Sequence, residues 1–307
     1  MRPCGCNRAN QSGQPRTRIT QSLMKNSAAK QYRTNDQIDE TPYDSTVRNN
    51  MACSHRDGGL ADYSSGVTGT APRRHNLKFD EEEQLINAFR EYIRLELEAD
   101  EAKSRLSAQV DFNMMDAYQM LDKFSKGWIT APEVIESLAE LGMHPHRDDV
   151  FLFVRRYDKD GDGRILYSDF CDAFTPSDQG LAESMQRRPA YHINNGFCRT
   201  HFFTNETREM FLSTIRVHLT VEENAEMLRK RLGRRPDFNV HEAFLMLDRD
   251  SNGYISRNEL RRVLGENGVF ASEKDLSMIM QRFDRNGDRR ISYSEFVEEL
   301  IVKCPTK

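Results

Sequence analysis

The stretch Asp248-Arg249-Asp250-Ser251-Asn252-Gly253-Tyr254-Ile255-Ser256-Arg257-Asn258-Glu259 decides how this chain reads. An acid or amide stands at positions one, three and five, a glycine at six and a glutamate at twelve. That is the spacing of a calcium loop. Calcium is a hard cation that takes six to eight oxygens at roughly 2.3–2.6 Å. On a curling loop alternate side chains point inward, so Asp248, Asp250 and Asn252 offer three oxygens. Gly253 permits the sharp turn, the Tyr254 carbonyl offers another oxygen, Ser256 can hold a water, and Glu259 closes the cage with two. Ser256 and Glu259 also form a capping box for the helix that leaves the loop. Ile255 is expected to pair in a short strand with its counterpart in a neighbouring loop.

Three further stretches repeat this pattern with departures. The loop from Asp158 offers Asp158, Asp160, Asp162, the Arg164 carbonyl and Asp169. Asp169 is one methylene shorter than Glu, so it reaches the ion with one oxygen; this weakens calcium and favours the smaller, six-coordinate magnesium. The loop from Asp284 offers Asp284, Asn286, Asp288, the Arg290 carbonyl, Ser292 and Glu295. Its position six is Arg289, and a non-glycine residue with positive φ costs on the order of 1 kcal/mol. In the loop from Asp122, Phe124 and Lys126 replace the oxygens at positions three and five, while Gly127, Ile129 and Glu133 remain. That loop keeps its shape for pairing and loses its ion. The C-terminal pair of loops is therefore expected to fill first.

The loops sit in an internal repeat. At a shift of about 126 residues, Asp111-Phe112-Asn113 falls on Asp237-Phe238-Asn239, Ile165 on Ile291 and Phe170 on Phe296. Leu85, Phe89, Tyr92, Ile93, Leu97 and Leu106 predict one long amphipathic helix over 80–108; Phe211, Leu212, Ile215, Leu219 and Leu228 predict a second over 204–232. Acidic pairs outside the loops read as parts of solvated helix faces. Met114, Met115, Met120, Met143, Met227, Met246, Met278 and Met280 either fill cores or line grooves that grip target helices.

The four units resemble the EF-hands of the calmodulin superfamily. More narrowly, the long charged helices, the Asp-Phe-Asn lead-in, the phrase Arg156-Tyr157-Asp158-Lys159-Asp160-Gly161-Asp162-Gly163-Arg164 and the linker Phe202-Phe203-Thr204-Asn205-Glu206-Thr207-Arg208 resemble EF-hand proteins of ciliated protists. Several of those are associated with cilia, axonemes and basal-body structures. The expected fold is all-α: two EF-hand pairs, each preceded by a long helix, behind an extended N-terminal tail. The expected division is a tail at 1–76, disordered or ordered by a partner, a long helix and first pair at 77–176, a linker at 177–203, and a long helix and second pair at 204–302. The resemblance implies calcium as cofactor and a structural or regulatory role in the ciliary axoneme or microtubule cytoskeleton. A soluble calmodulin-like sensor that binds target helices is the alternative. A calcium-regulated membrane-associated adaptor using Cys4 and Cys6 is a third reading.

Composition narrows the partners. Of 307 residues, 37% are hydrophobic and 30% charged, with a net charge of −4. Residues 1–76 carry eleven Lys/Arg against six Asp/Glu, so a +5 arm precedes a −9 body. Such an arm suits an acidic protein surface, of which tubulin is one. No apolar run approaches the ~18–20 residues that span a bilayer, and the N-terminus lacks a signal-peptide core. A cytoplasmic setting and free thiols are therefore expected for its six cysteines. Cys4-x-Cys6 with Cys53-x-His55 has too tight a spacing for zinc, and His192, Cys198 and His201 read as linker residues. No phosphate-binding glycine loop, nucleophile elbow, kinase set or basic nucleic-acid fold is present, so the sequence predicts a non-enzymatic protein that binds proteins and not nucleic acid.

Overall fold

The computed structural model describes residues 75–190 and 201–304. The expectations for residues 1–74, including Cys4, Cys6, Cys53 and His55, and those for His192 and Cys198, lie outside the described residues. The described body is helical. A long helix α1 (Phe79–Ser107) leads into α2 (Met114–Leu121), β1 (Trp128–Thr130), α3 (Ala131–Glu140), α4 (Arg147–Tyr157), β2 (Arg164–Leu166), α5 (Tyr167–Phe174) and α6 (Gln179–Gln186). A second long helix α7 (Asn205–Gly233) leads into α8 (Val240–Leu247), β3 (Tyr254–Ile255), α9 (Arg257–Glu266), α10 (Glu273–Phe283), β4 (Ile291–Ser292) and α11 (Tyr293–Leu300).

Local chemistry sets these boundaries. The repeated Asp-Phe-Asn lead-in supplies an N-cap in each half: the Asn113 side chain accepts from the Asp116 N–H, and the Asn239 side chain from the His241 and Glu242 N–H groups. Thr204 caps α7 in the same way, through the Thr207 N–H. The two strands of each pair form an antiparallel ribbon, Ile129 opposite Ile165 and Ile255 opposite Ile291. Each ribbon couples two loops that would otherwise each expose half a core.

The packing does not follow chain order. In the sequence each long helix stands beside the pair that follows it; in the structure the two exchange partners. Leu85, Ile86, Phe89, Tyr92 and Leu95 of α1 lie in one core with Phe244, Phe283 and Phe296 of the second pair. Phe211, Leu212, Ile215 and Leu219 of α7 lie in the other core with Phe112, Phe170 and Phe174 of the first pair. Phe211 sits 5.5 Å from Phe174 and 6.1 Å from Phe112, and Phe89 sits 5.7 Å from Phe283. A helix of 29 residues runs about 44 Å, and the apolar stripe of its first half is buried against the other pair. The last turns return to their own neighbours: Leu106 joins the first pair's core, and Leu228 and Leu232 the second's.

Along each long helix the stripe has heptad spacing, Leu85-Phe89-Tyr92-Glu96-Ala99-Lys103-Leu106 and, 126 residues on, Phe211-Ile215-His218-Glu222-Ala225-Arg229-Leu232. The two long helices also pack against each other. Of the methionines, Met114, Met120, Met143, Met246 and Met280 lie in the two cores, Met278 is buried outside them, and Met227 is exposed.

Candidate metal centre

All four loops share one scaffold. The first-position aspartate accepts a hydrogen bond from the N–H at position six: Asp122 from Gly127 at 2.8 Å, Asp158 from Gly163 at 2.7 Å, Asp248 from Gly253 at 2.9 Å and Asp284 from Arg289 at 2.7 Å. To point that N–H inward, position six takes positive φ, +87° at Gly127, +79° at Gly163, +85° at Gly253 and +66° at Arg289. Arg289 therefore does carry the left-handed strain expected at a non-glycine residue. The carbonyl-bearing residues Arg164 and Tyr254 open strands β2 and β3, and Arg290 directly precedes β4, so the ribbons fix all three.

Position twelve separates the loops. In the loop from Asp248, Glu259 bridges both ends. One oxygen accepts from the Ser256 N–H and hydroxyl at 2.8 and 2.7 Å, the other from the N–H groups of Arg249 and Asp250 at 2.9 and 3.3 Å. Burial alone would raise the Glu259 pKa, but these bonds, chiefly those from Ser256, hold it below its ordinary value. Glu295 likewise bridges both ends of the loop from Asp284, accepting from the Ser292 N–H and hydroxyl at 2.9 and 2.7 Å and from the N–H groups of Arg285 and Asn286 at 3.1 and 3.2 Å. In the loop from Asp158, the Asp169 carboxylate accepts from the Leu166 N–H at 2.9 Å, and the hydrogen bonds formed by Glu259 and Glu295 to the start of their loops have no counterpart here among the described residues.

Carboxylate oxygens gather in two of the loops. Asp158, Asp160 and Asp162 present oxygens within 4.8 Å of one another, as do Asp248, Asp250 and Glu259. The neighbouring Asp158 side chain, with burial and Asp162 behind it, pushes the Asp160 pKa up, and burial pushes up that of Asp169. Crowded like charges that resist ionising together are relieved by a hard cation, so the donor set fits calcium. The loop from Asp284 uses Asn286 at position three, where the amide nitrogen donates to Asp288 at 3.2 Å.

The loop from Asp122 holds a cation of its own. The Lys126 ammonium lies 2.5 Å from Glu133, where the other loops direct carboxylates and amides. Burial alone would raise the Glu133 pKa, but Lys126 and Thr130 lower it. A tethered ammonium thus neutralises the closing glutamate. Trp128 follows in β1, opposite Leu166, with the Arg164 guanidinium 5.1 Å and the Lys126 ammonium 5.2 Å from its ring.

Sequence reasoning missed a cluster at the centre of the body. It placed the acids outside the loops on solvated faces, but Glu222, Glu226 and Glu299 are buried, with Glu96 nearly so, among Arg156, Arg229, Arg282 and Lys303. Arg282 is fully buried and binds Glu96 at 2.5 Å, Glu222 at 3.1 Å and Glu299 at 2.7 Å. Arg229 binds Glu226 at 2.8 Å and Glu299 at 3.1 Å. Burial would raise the Glu299 pKa, yet Arg282, Lys303 and Arg229 hold it well below the usual carboxylate range. The signal was present in the heptad stripes, which Glu96 and Lys103 interrupt in the first helix and His218, Glu222 and Arg229 in the second.

Residues 111–175 and 237–301 each match the family described as the EF-hand domain pair. EF-hand domains bind calcium, and the chain is a calcium-binding EF-hand protein. It is similar to a calmodulin-like protein of Oryza sativa subsp. japonica, 26% identical over 199 residues, 65% of this chain and 88% of that one. A shorter stretch is 45% identical over 64 residues to calcium-binding protein 8 of Homo sapiens, 21% of this chain and 24% of that one. Human calcium-binding protein 7 is 40% identical over 67 residues, 22% of this chain and 31% of that one. No described helix is long and apolar enough to cross a membrane.

Proposed function

We propose that this chain is a calcium-stabilised structural or regulatory component of a protein assembly, and not a diffusible sensor that opens to grip target helices. The observation that carries this reading is the helix exchange. The apolar face that a groove-gripping sensor would offer to a target is covered in each pair by a long helix of the same chain. In this reading three loops hold calcium. The ligands are Asp158, Asp160, Asp162, the Arg164 carbonyl and Asp169 in the first; Asp248, Asp250, Asn252, the Tyr254 carbonyl and Glu259 in the next; and Asp284, Asn286, Asp288, the Arg290 carbonyl and Glu295 in the last. The short Asp169 makes the first of these the site where magnesium competes best.

The setting we propose is the microtubule cytoskeleton of the cilium, which the resemblance to EF-hand proteins of ciliated protists implies. The +5 charge of residues 1–76 supports an acidic partner such as tubulin. The test is co-sedimentation of the full chain with microtubules, at two salt concentrations, with and without residues 1–76. Salt-sensitive binding that is lost with the tail supports the reading. Equal binding by the truncated chain rejects the tail's role, and a calcium-driven rise in dye-accessible apolar surface on the full chain favours the sensor instead.

A further inference from the structure

We propose that Arg285 is a positioning residue that couples the calcium loop from Asp284 to the loop from Asp158, across the two EF-hand pairs. The inference rests on the assignment of both loops as calcium sites above. Coupling within each pair runs through its ribbon; this link is a different one, between loops in different pairs.

Helices α4 and α10 enter these two loops, and their C-terminal ends meet. The Arg156 guanidinium donates to the Arg282 carbonyl at 2.7 Å. Both arginines clamp Glu96 and Glu222, Arg156 at 3.5 and 3.7 Å and Arg282 at 2.5 and 3.1 Å. The ends of the two entering helices are thus fixed to one buried cluster. Arg285, three residues beyond Arg282, makes contacts in both loops. Its backbone N–H donates to Glu295, the closing carboxylate of its own loop, at 3.1 Å. One arm of its guanidinium pairs with Glu298 on α11. The other arm donates to the carbonyl of Asp158, the first residue of the other loop. Arg285 thus links the closing carboxylate of one loop to the first peptide of the other.

The internal repeat supplies a control. At the 126-residue shift, Arg285 falls on Lys159 and Glu298 on Asp172. Lys159 pairs with Asp172 at 2.5 Å, just as Arg285 pairs with Glu298. The local ion pair is common to both halves, whereas among the described residues only the arginine bonds across to the other pair. A guanidinium fork can serve two acceptors in fixed directions, and a lysine ammonium on a flexible stem has no such fork. Arg285→Lys is therefore the diagnostic variant: it keeps the pair with Glu298 and loses the bond to Asp158.

The experiment uses the full chain and calcium itself. Trp128, opposite Leu166 and beneath Arg164, reports the loop from Asp158; calorimetry reports total binding. Glu295→Gln is introduced to weaken the loop from Asp284. With Arg285 present, Glu295→Gln is expected to lower the affinity read by Trp128 by fivefold or more, within the usual range of such couplings. In Arg285→Lys, adding Glu295→Gln is expected to change that affinity less than twofold. Without calcium, Arg285→Lys is expected to speed hydrogen exchange at residues 158–163 while the helices melt as before. Equal coupling with and without Arg285 overturns the proposal, as does independent binding at the two loops in the unaltered chain. Absence of calcium at either loop overturns the site assignment itself, an outcome distinct from independent binding.

Discussion

Phe211→Ala probes the exchange of long helices directly. Phe211 stands in the helix that precedes the second pair, yet it is fully buried in the core of the first, with Phe112, Phe170 and Phe174 around it at 6.1, 6.5 and 5.5 Å. Truncating a fully buried phenylalanine costs about 3–5 kcal/mol, the transfer of the ring plus the cavity it leaves. That is a large share of the 5–15 kcal/mol typical of a domain. Read by hydrogen exchange, it is a loss of protection of roughly 10²–10⁴-fold in the elements that lean on the ring. The account places that loss in α2 to α5, with Trp128 emission shifting as the first pair loosens. Phe89→Ala, 5.7 Å from Phe283, is the mirror perturbation and should loosen α8 to α11 instead. If Phe211→Ala deprotects the second pair and spares the first, the helices are not exchanged and the argument for covered grooves fails.

Two further outcomes follow from the site and the core. Arg289→Gly removes left-handed strain at φ +66°, worth about 1 kcal/mol, and should tighten the loop from Asp284 about fivefold in a calorimetric titration; unchanged or weaker binding would show that the strain does not act on the site. Burial, aided by the Lys103 and Arg156 charges, pushes the His218 pKa down to about 3. Between that value and the ordinary ~6.5 the unfolded chain binds the extra proton, so this contribution to stability falls as pH drops below about 6.5. From pH 7 to 5 the loss is about 2 kcal/mol more in the parent chain than in His218→Phe, measured by denaturant unfolding. An equal loss in both would show that His218 does not titrate on unfolding.

The parts legible in sequence were the local ones. Loop spacing, the Ser256 cap and both long helices follow from the residues of each element itself, and Ile255 meets Ile291 of the neighbouring loop as the repeat implied. The shortness of Asp169 was also readable, because a missing methylene is a property of the residue itself. The partner of each long helix was not readable. An apolar stripe such as Leu85-Phe89-Tyr92 says that a face is buried and not what buries it. The central cluster was hidden for a related reason. Glu222, Arg229 and Glu299 look solvated in a charged helix until partners from three elements converge on them. Lys126 was read only as a residue that takes the place of an oxygen ligand, whereas its contact with Glu133 makes it a substitute for the ion.

Calorimetric titration of the full chain with calcium tests the central claim most directly, with Trp128 followed in parallel and Glu259→Gln as the comparison. The account predicts three ions per chain. The tightest phase comes before Trp128 responds and disappears in Glu259→Gln, because that loop alone combines a glycine at position six with a closing glutamate that spans both ends. A fourth ion would mean that Lys126 does not close the loop from Asp122. A tightest phase that Trp128 reports, or one that survives Glu259→Gln, would contradict the ranking of the sites, and no saturable binding at all would contradict the account as a whole.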